Sequence, residues 1–187
     1  CKENSIECLH FSNFDSKEVY RALKEINPDL FVVIAFKILP EKIINIPRYG
    51  SINIHPSLLP KYRGSSPIQH ALLNGDKKTG VTIFKLNKKI DSGHVIIQKV
   101  YNISSKMIFS DLYIKLSEFG AELLIKAIDL IDNGKADYIP QATLSGINRL
   151  GYAKKIKTKD RLIDWTLSAK KINNKIRAFS KKPGAFT

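Results

Sequence analysis

Asn53 and His55 stand one residue apart in the short run Ser51–His55. In an extended segment alternate side chains share a face, so an amide and an imidazole lie side by side while Ile52 and Ile54 point the other way. The pair suits polar chemistry. The amide can donate to an oxygen that gains charge, and imidazole titrates near working pH. Whether His55 donates to such an oxygen or accepts a proton stays open at this level. A lone histidine at a strand end is ordinarily a hydrogen-bonded structural residue, and it is the setting that turns the reading towards a site. Pro56 and Pro60 stiffen the segment that follows, and Lys61–Gly64 is a basic turn containing glycine. Asp91, in Ile90–Gly93, is the carboxylate available to orient the imidazole. Aspartate in such a turn often caps its own backbone, so the functional reading requires Asp91 to meet His55 in space. Cys1 and Cys8 have no metal-ligand spacing and read as free thiols of a cytosolic protein.

These residues need a scaffold. The pattern predicts a helix over about Ser16–Ile26, capped by Asp15 with Glu18 completing a capping box. Its apolar stripe is Val19, Ala22, Leu23 and Ile26. Leu30–Ala35 follows as a continuous apolar run, which fits a strand buried on both faces of a parallel sheet. A short helix is expected near Glu41–Asn45, a strand over Ser51–His55, and a helix opening at Ser65–Pro67 and closing at Gly75. Two strands, Val81–Leu86 and Val95–Tyr101, are joined through Asp91–Gly93. A long helix spans about Ser110–Asp132, with Gly134 as its stop. The order argues for α/β architecture with at least part of the sheet parallel. The carboxyl end of such strands, where Asn53 and His55 lie, is where ligands bind. Strands Leu30–Ala35 and Ser51–His55 are expected to pair in parallel. From about Gln141 the pattern loosens into a linker, and a last helix near Ser168–Phe179 is read as the start of a second domain.

The 187 residues carry 43% hydrophobic and 26% charged side chains, ordinary for a globular protein. No apolar run approaches membrane-spanning length. The opening stretch is polar and does not read as a signal peptide. A first residue other than Met, and the apolar, turn-rich Pro183–Thr187, read as the ends of a piece of a longer chain. The formal charge of +14 suits a phosphate-bearing partner. The excess is mostly lysine accompanied by isoleucine and asparagine, which a biased genome also produces, so charge alone does not decide for RNA.

Ser51–Gly64, Ser66–Gln69, Thr79–Thr82 and Ile90–Gly93 together resemble the signature of the enzymes that transfer formyl from 10-formyltetrahydrofolate, and Asn27–Asp29 and Ala35–Pro40 are similar to that family's strand and folate-side loop. Tyr152–Ile156 and Pro183–Thr187 resemble the branch that acts on methionyl-tRNA. Ile163–Trp165 and Arg177–Phe179 are shared with some sugar-nucleotide formyltransferases. The resemblance implies the second half of a Rossmann-like formyltransferase domain with a mainly parallel sheet over 1–140, a linker over 141–156, and the beginning of a tRNA-binding domain over 157–187. The opening of the catalytic domain and a C-terminal β-barrel would lie outside this chain. It further implies formylation of the amino group of initiator methionyl-tRNA, with 10-formyltetrahydrofolate as co-substrate and no metal, by a cytoplasmic, monomeric whole protein. The alternatives are a sugar-nucleotide N-formyltransferase and a non-catalytic RNA-binding protein. Asn53, His55 and Asp91 are the implied catalytic residues. Asp91 is expected to approach His55 to about 3 Å and to raise its pKa by stabilising the imidazolium. Phe36, Ile38, Leu39, Pro40, Ser57, Leu58, Leu59, Pro60 and Ile90 are the expected folate contacts, and Lys61 and Arg63 the expected contacts to the tRNA acceptor end. The amine must be neutral to attack, and its attack creates a tetrahedral oxyanion, so the site needs both a proton acceptor and an oxyanion donor.

Overall fold

The computed structural model describes residues 4–36, 38–144 and 151–187. Cys1 lies outside the described residues; Cys8 is an exposed free thiol. The chain folds as α1 (Lys17–Glu25), β1 (Phe31–Val33), α2 (Glu41–Ile44), β2 (Ser51–His55), β3 (Arg63–Gly64), α3 (Pro67–Leu73), β4 (Lys78–Lys85), β5 (Val95–Asn102), α4 (Phe109–Asp132), β6 (Tyr152–Ala153) and α5 (Ala169–Phe179).

Four strands form one sheet in the order β1-β2-β4-β5. The parallel pairing of β1 with β2 is as expected, with Phe31 opposite Ser51 and Val33 opposite Asn53. The sheet is α/β but mixed: β2 pairs with β4, and β4 with β5, antiparallel. The mainly parallel sheet is therefore corrected for the described strands. The connection through α3 brings β4 back against β2, and a hairpin joins β4 to β5. The double burial expected of Leu30–Ala35 falls instead on β4, an interior strand, whose Val81, Ile83 and Phe84 are fully buried. β1 has one neighbour among the described strands, and Val32 and Ile34 are exposed.

Alternation on β4 divides the interior. Val81 and Ile83 join the main core with Leu72 of α3 and Leu112, Leu116 and Leu123 of α4. Phe84 turns to the other face, where it meets Leu59 and Val95. α4 comes close to the sheet at Gly120, where a Cβ would stand 3.2 Å from Ile54 Cγ2. That contact fixes the face of β2 opposite to the one carrying Asn53 and His55.

One helix reading needs correction. α1 is capped by Ser16, whose hydroxyl accepts from the Val19 amide, and not by Asp15: Ser16 has the extended backbone that an N-cap needs. Of its apolar stripe only Val19 is buried, and Ile26 is exposed. α5 begins, as expected, after Ser168, whose side chain caps it. Its Ala178 and Phe179 enter the main core and it packs on α3. Within the stretch read as linker, β6 pairs in parallel with β3, Arg63 opposite Tyr152.

Candidate active site

β2 ends at His55, and the chain then turns through Ser57–Pro60 across the second face of β4. Thr82 organises that turn. Its hydroxyl donates to the Ser57 carbonyl at 2.7 Å and accepts from the Leu59 amide at 3.2 Å. Leu58 lies over Gly80, where a Cβ would collide with it. Leu59 fills the small core beside Phe84. The Ser57 hydroxyl donates to the Lys61 carbonyl at 2.6 Å. The loop so fixed delivers Tyr62, whose backbone takes a positive φ of 61°. Its carbonyl oxygen sits 2.8 Å from His55 Nε2.

A carbonyl only accepts, so His55 Nε2 carries the proton of this bond and, in the neutral ring, Nδ1 carries the lone pair. His55 Nδ1 faces Asp91 Oδ2 at 3.8 Å, longer than the hydrogen bond of about 3 Å expected. Asp91 does not cap its own turn. Its Oδ2 accepts from the Gly64 amide at 2.8 Å, and Ser92 makes the turn's internal bonds to Asn87 and Lys89. His55 is 5% exposed. Burial pushes its pKa below the ordinary histidine value, against the smaller raising effects of Asp91 and of the bond to Tyr62. Asp91 acts in the expected direction and raises this pKa, but loss of hydration outweighs one carboxylate at this distance and the net shift is downward. Asn53, one residue up the same face, has its Oδ1 buried with no hydrogen-bond partner among the described residues.

Asn53, His55 and Asp91 all line one cavity of about 1060 Å³. Of the expected folate contacts, Phe36, Ile38, Leu39 and Ile90 line it as well, with Asn87, Lys88 and Lys89 beside them. Pro40 does not; it precedes the first turn of α2. Ser57, Leu58, Leu59 and Pro60 do not either, because they are spent in packing the loop on β4. Neither Lys61 nor Arg63 lines the cavity. Lys61 Nζ is held 2.6 Å from Asp76 Oδ2, and Arg63 donates through Nε and Nη2 to Gln141 Oε1 at 3.0 and 2.6 Å. Tyr62 and Gln141 escaped the sequence reading. A backbone carbonyl leaves no mark on residue type, and Gln141 stood at the head of a patternless stretch. Among the described residues no group of three His, Cys, Asp or Glu is placed to hold a metal, and no helix is long and apolar enough to cross a membrane.

The formyl transferase family profile matches residues 4–128, and that of the formyl transferase C-terminal domain matches residues 155–187. The chain belongs to the formyl transferase family. It is 40% identical over 185 residues to the methionyl-tRNA formyltransferase of Thermotoga neapolitana, an alignment covering 98% of this chain and 58% of that protein. The chain thus spans a little over half the length of the curated relatives it matches. Among solved structures it is similar to an N-formyltransferase from Helicobacter canadensis in complex with folinic acid and dTDP-3-aminofucose. That match has 28% identity and a TM-score of 0.65, over 76% of this chain and 51% of that one. It shares its fold with HypX from Aquifex aeolicus, solved with tetrahydrofolic acid, at 22% identity and a TM-score of 0.75, over 92% of this chain and 29% of that one.

Proposed function

We propose that the whole protein containing this chain transfers the formyl group of 10-formyltetrahydrofolate to the amino group of initiator methionyl-tRNA. The observation that carries the reading is the convergence of Asn53, His55 and Asp91 on one cavity that Phe36, Ile38, Leu39 and Ile90 also line. A flat, polar pterin fits between apolar side chains that cover its faces and loop backbone that pairs with its edge. His55 serves as proton acceptor, because its Nε2 proton is committed to the Tyr62 carbonyl and its neutral Nδ1 is left to take the proton of the attacking amine, which goes on to the folate nitrogen as its C–N bond to the formyl group breaks. Asp91 stabilises the imidazolium as it forms. Asn53 donates its amide N–H to the formyl oxygen as charge develops there. Lys61 and Arg63 are left out of the acceptor contact, since both are engaged elsewhere.

The choice of acceptor is supported by identity to methionyl-tRNA formyltransferases over nearly the whole chain. A sugar-nucleotide acceptor is the second reading, favoured by the likeness to the Helicobacter canadensis N-formyltransferase. The reading implies a cytoplasmic enzyme, since that is where initiator tRNA is used, and the family resemblance implies a monomer. A formyl-transfer assay on the whole protein, with methionyl-tRNA and amino-sugar nucleotides offered side by side, tests the acceptor. Transfer to the sugar alone would overturn it. Ile90→Glu, which places a charge on the cavity wall, is expected to raise KM for the folate about tenfold or more, the equivalent of one buried aliphatic side chain. Unchanged folate KM would remove the pterin from this wall.

A further inference from the structure

Gln141 lies 78 residues from Arg63 and 50 from Asp91 in the chain, yet its one side chain bonds to both. It is 4% exposed. Nε2 donates to the carbonyls of Asp91 and Gly93 at 2.9 and 2.8 Å, and Oε1 accepts twice from the Arg63 guanidinium. Only one orientation of the amide satisfies this surrounding, with nitrogen towards two acceptors and oxygen towards a donor. The two loops it joins hold the acid–base pair. Arg63 and Gly64 follow Tyr62, whose carbonyl fixes His55 Nε2, and the Gly64 amide donates to Asp91 Oδ2. Asp91 itself sits at a positive φ of 47°, a backbone state that its surroundings must maintain.

We propose that Gln141 is a positioning residue that sets Asp91 against His55 by tying the Asp91 turn to the Arg63–Gly64 strand. It touches no reacting atom. The role rests on the proposed acid–base function of His55 and Asp91, and its test is chosen to be readable without that function. Asp91 faces Nδ1 of the His55 ring and the Tyr62 carbonyl faces Nε2, so the titration midpoint of His55, followed by NMR in the whole protein, reports the placement of Asp91.

Asp91→Asn removes the charge and is expected to lower that midpoint. Gln141→Ala should shift it as well, and the double variant should shift it less than the sum of the two, the signature of residues acting through one contact. Gln141→Glu keeps size and the Arg63 contact but loses both N–H donors, so it reports the same coupling if the alanine variant does not fold. In the formyl-transfer assay either Gln141 variant should lower kcat by up to about 100-fold, the effect of roughly an ångström of misplacement, with folate KM unchanged. An unmoved His55 midpoint in Gln141→Glu, or strictly additive shifts, would overturn the proposal. If the unaltered protein shows no formyl transfer while the shifts remain coupled, the proposed function fails and the positioning role of Gln141 stands.

Discussion

Asp91 Oδ2 stands 3.8 Å from His55 Nδ1 and takes its shorter contact, 2.8 Å, from the Gly64 amide. The carboxylate is therefore anchored by backbone and lies near the imidazole without being consumed by it. A neutral His55 keeps its Nδ1 lone pair, and a protonated one finds a negative charge close by.

This arrangement has a consequence for stability. Burial disfavours the imidazolium more than Asp91 and the Tyr62 carbonyl favour it, so His55 is protonated at lower pH in the folded chain than in the unfolded one. Between the two midpoints the unfolded state holds more protons, and stability rises with pH. Nothing is lost above the ordinary histidine value of 6.5, and the loss grows as pH falls below it towards the folded midpoint. Denaturant melts between about pH 8 and pH 5 should show this slope, and His55→Gln should flatten it. Equal slopes in the two proteins would mean that His55 is not buried in its neutral form.

A second expectation concerns α5. Phe179 is 1% exposed and belongs to the same core as Leu72 and Leu112. Phe179→Ala should cost about 3–5 kcal/mol. Trp165, the single tryptophan, lies four residues before Ala169, the first residue of α5, so its fluorescence reports the C-terminal segment. Far-UV circular dichroism is dominated by α4 with its 24 residues. The two signals should change at the same denaturant concentration, as they do when one cooperative unit unfolds. Separate transitions, with only the tryptophan signal moved by the substitution, would show that the segment from about residue 157 is an independent unit.

Much of this frame was legible because the relevant signals are local. Ser51–His55 is a strand with the boundaries its alternation suggests, and the α3, α4 and α5 signals of cap, stripe and stop fall within a residue or two of the observed ends. Asn53 and His55 were readable as a pair for the same reason. Asp91 was not readable as their partner from the turn itself, since an Asp-Ser-Gly turn looks the same whether it caps itself or accepts from Gly64; the family resemblance supplied the link. The folate side divided on the same principle. Phe36, Ile38, Leu39 and Ile90 line the cavity, whereas Ser57–Pro60 look like binding residues by proximity to His55 and are turned onto β4 by Thr82 and Gly80, which lie more than twenty residues away. β6 and the contacts of Gln141 depend wholly on such long-range packing.

The last expectation separates two glycines. At Gly93 an added Cβ would fall on the Lys85 carbonyl, which belongs to the end of β4 and cannot move without breaking the strand pair that carries the Asp91 turn. At Gly134, φ is +65° and nothing lies within 4 Å of the added atom. Gly134→Ala therefore meets only the backbone preference against left-handed conformations, about 1–2 kcal/mol. Gly93→Ala meets packing, and should cost about 3 kcal/mol, the upper end of ordinary overpacking. It should also move Asp91, two residues earlier, away from His55, whereas Gly134→Ala should leave the site as it was. Denaturant melts give the two costs, and the His55 titration midpoint gives the displacement. A Gly93→Ala protein as stable as Gly134→Ala, with an unaltered His55 midpoint, would show that the hairpin yields at Lys85 and that close packing at Gly93 does not hold the Asp91 turn in place.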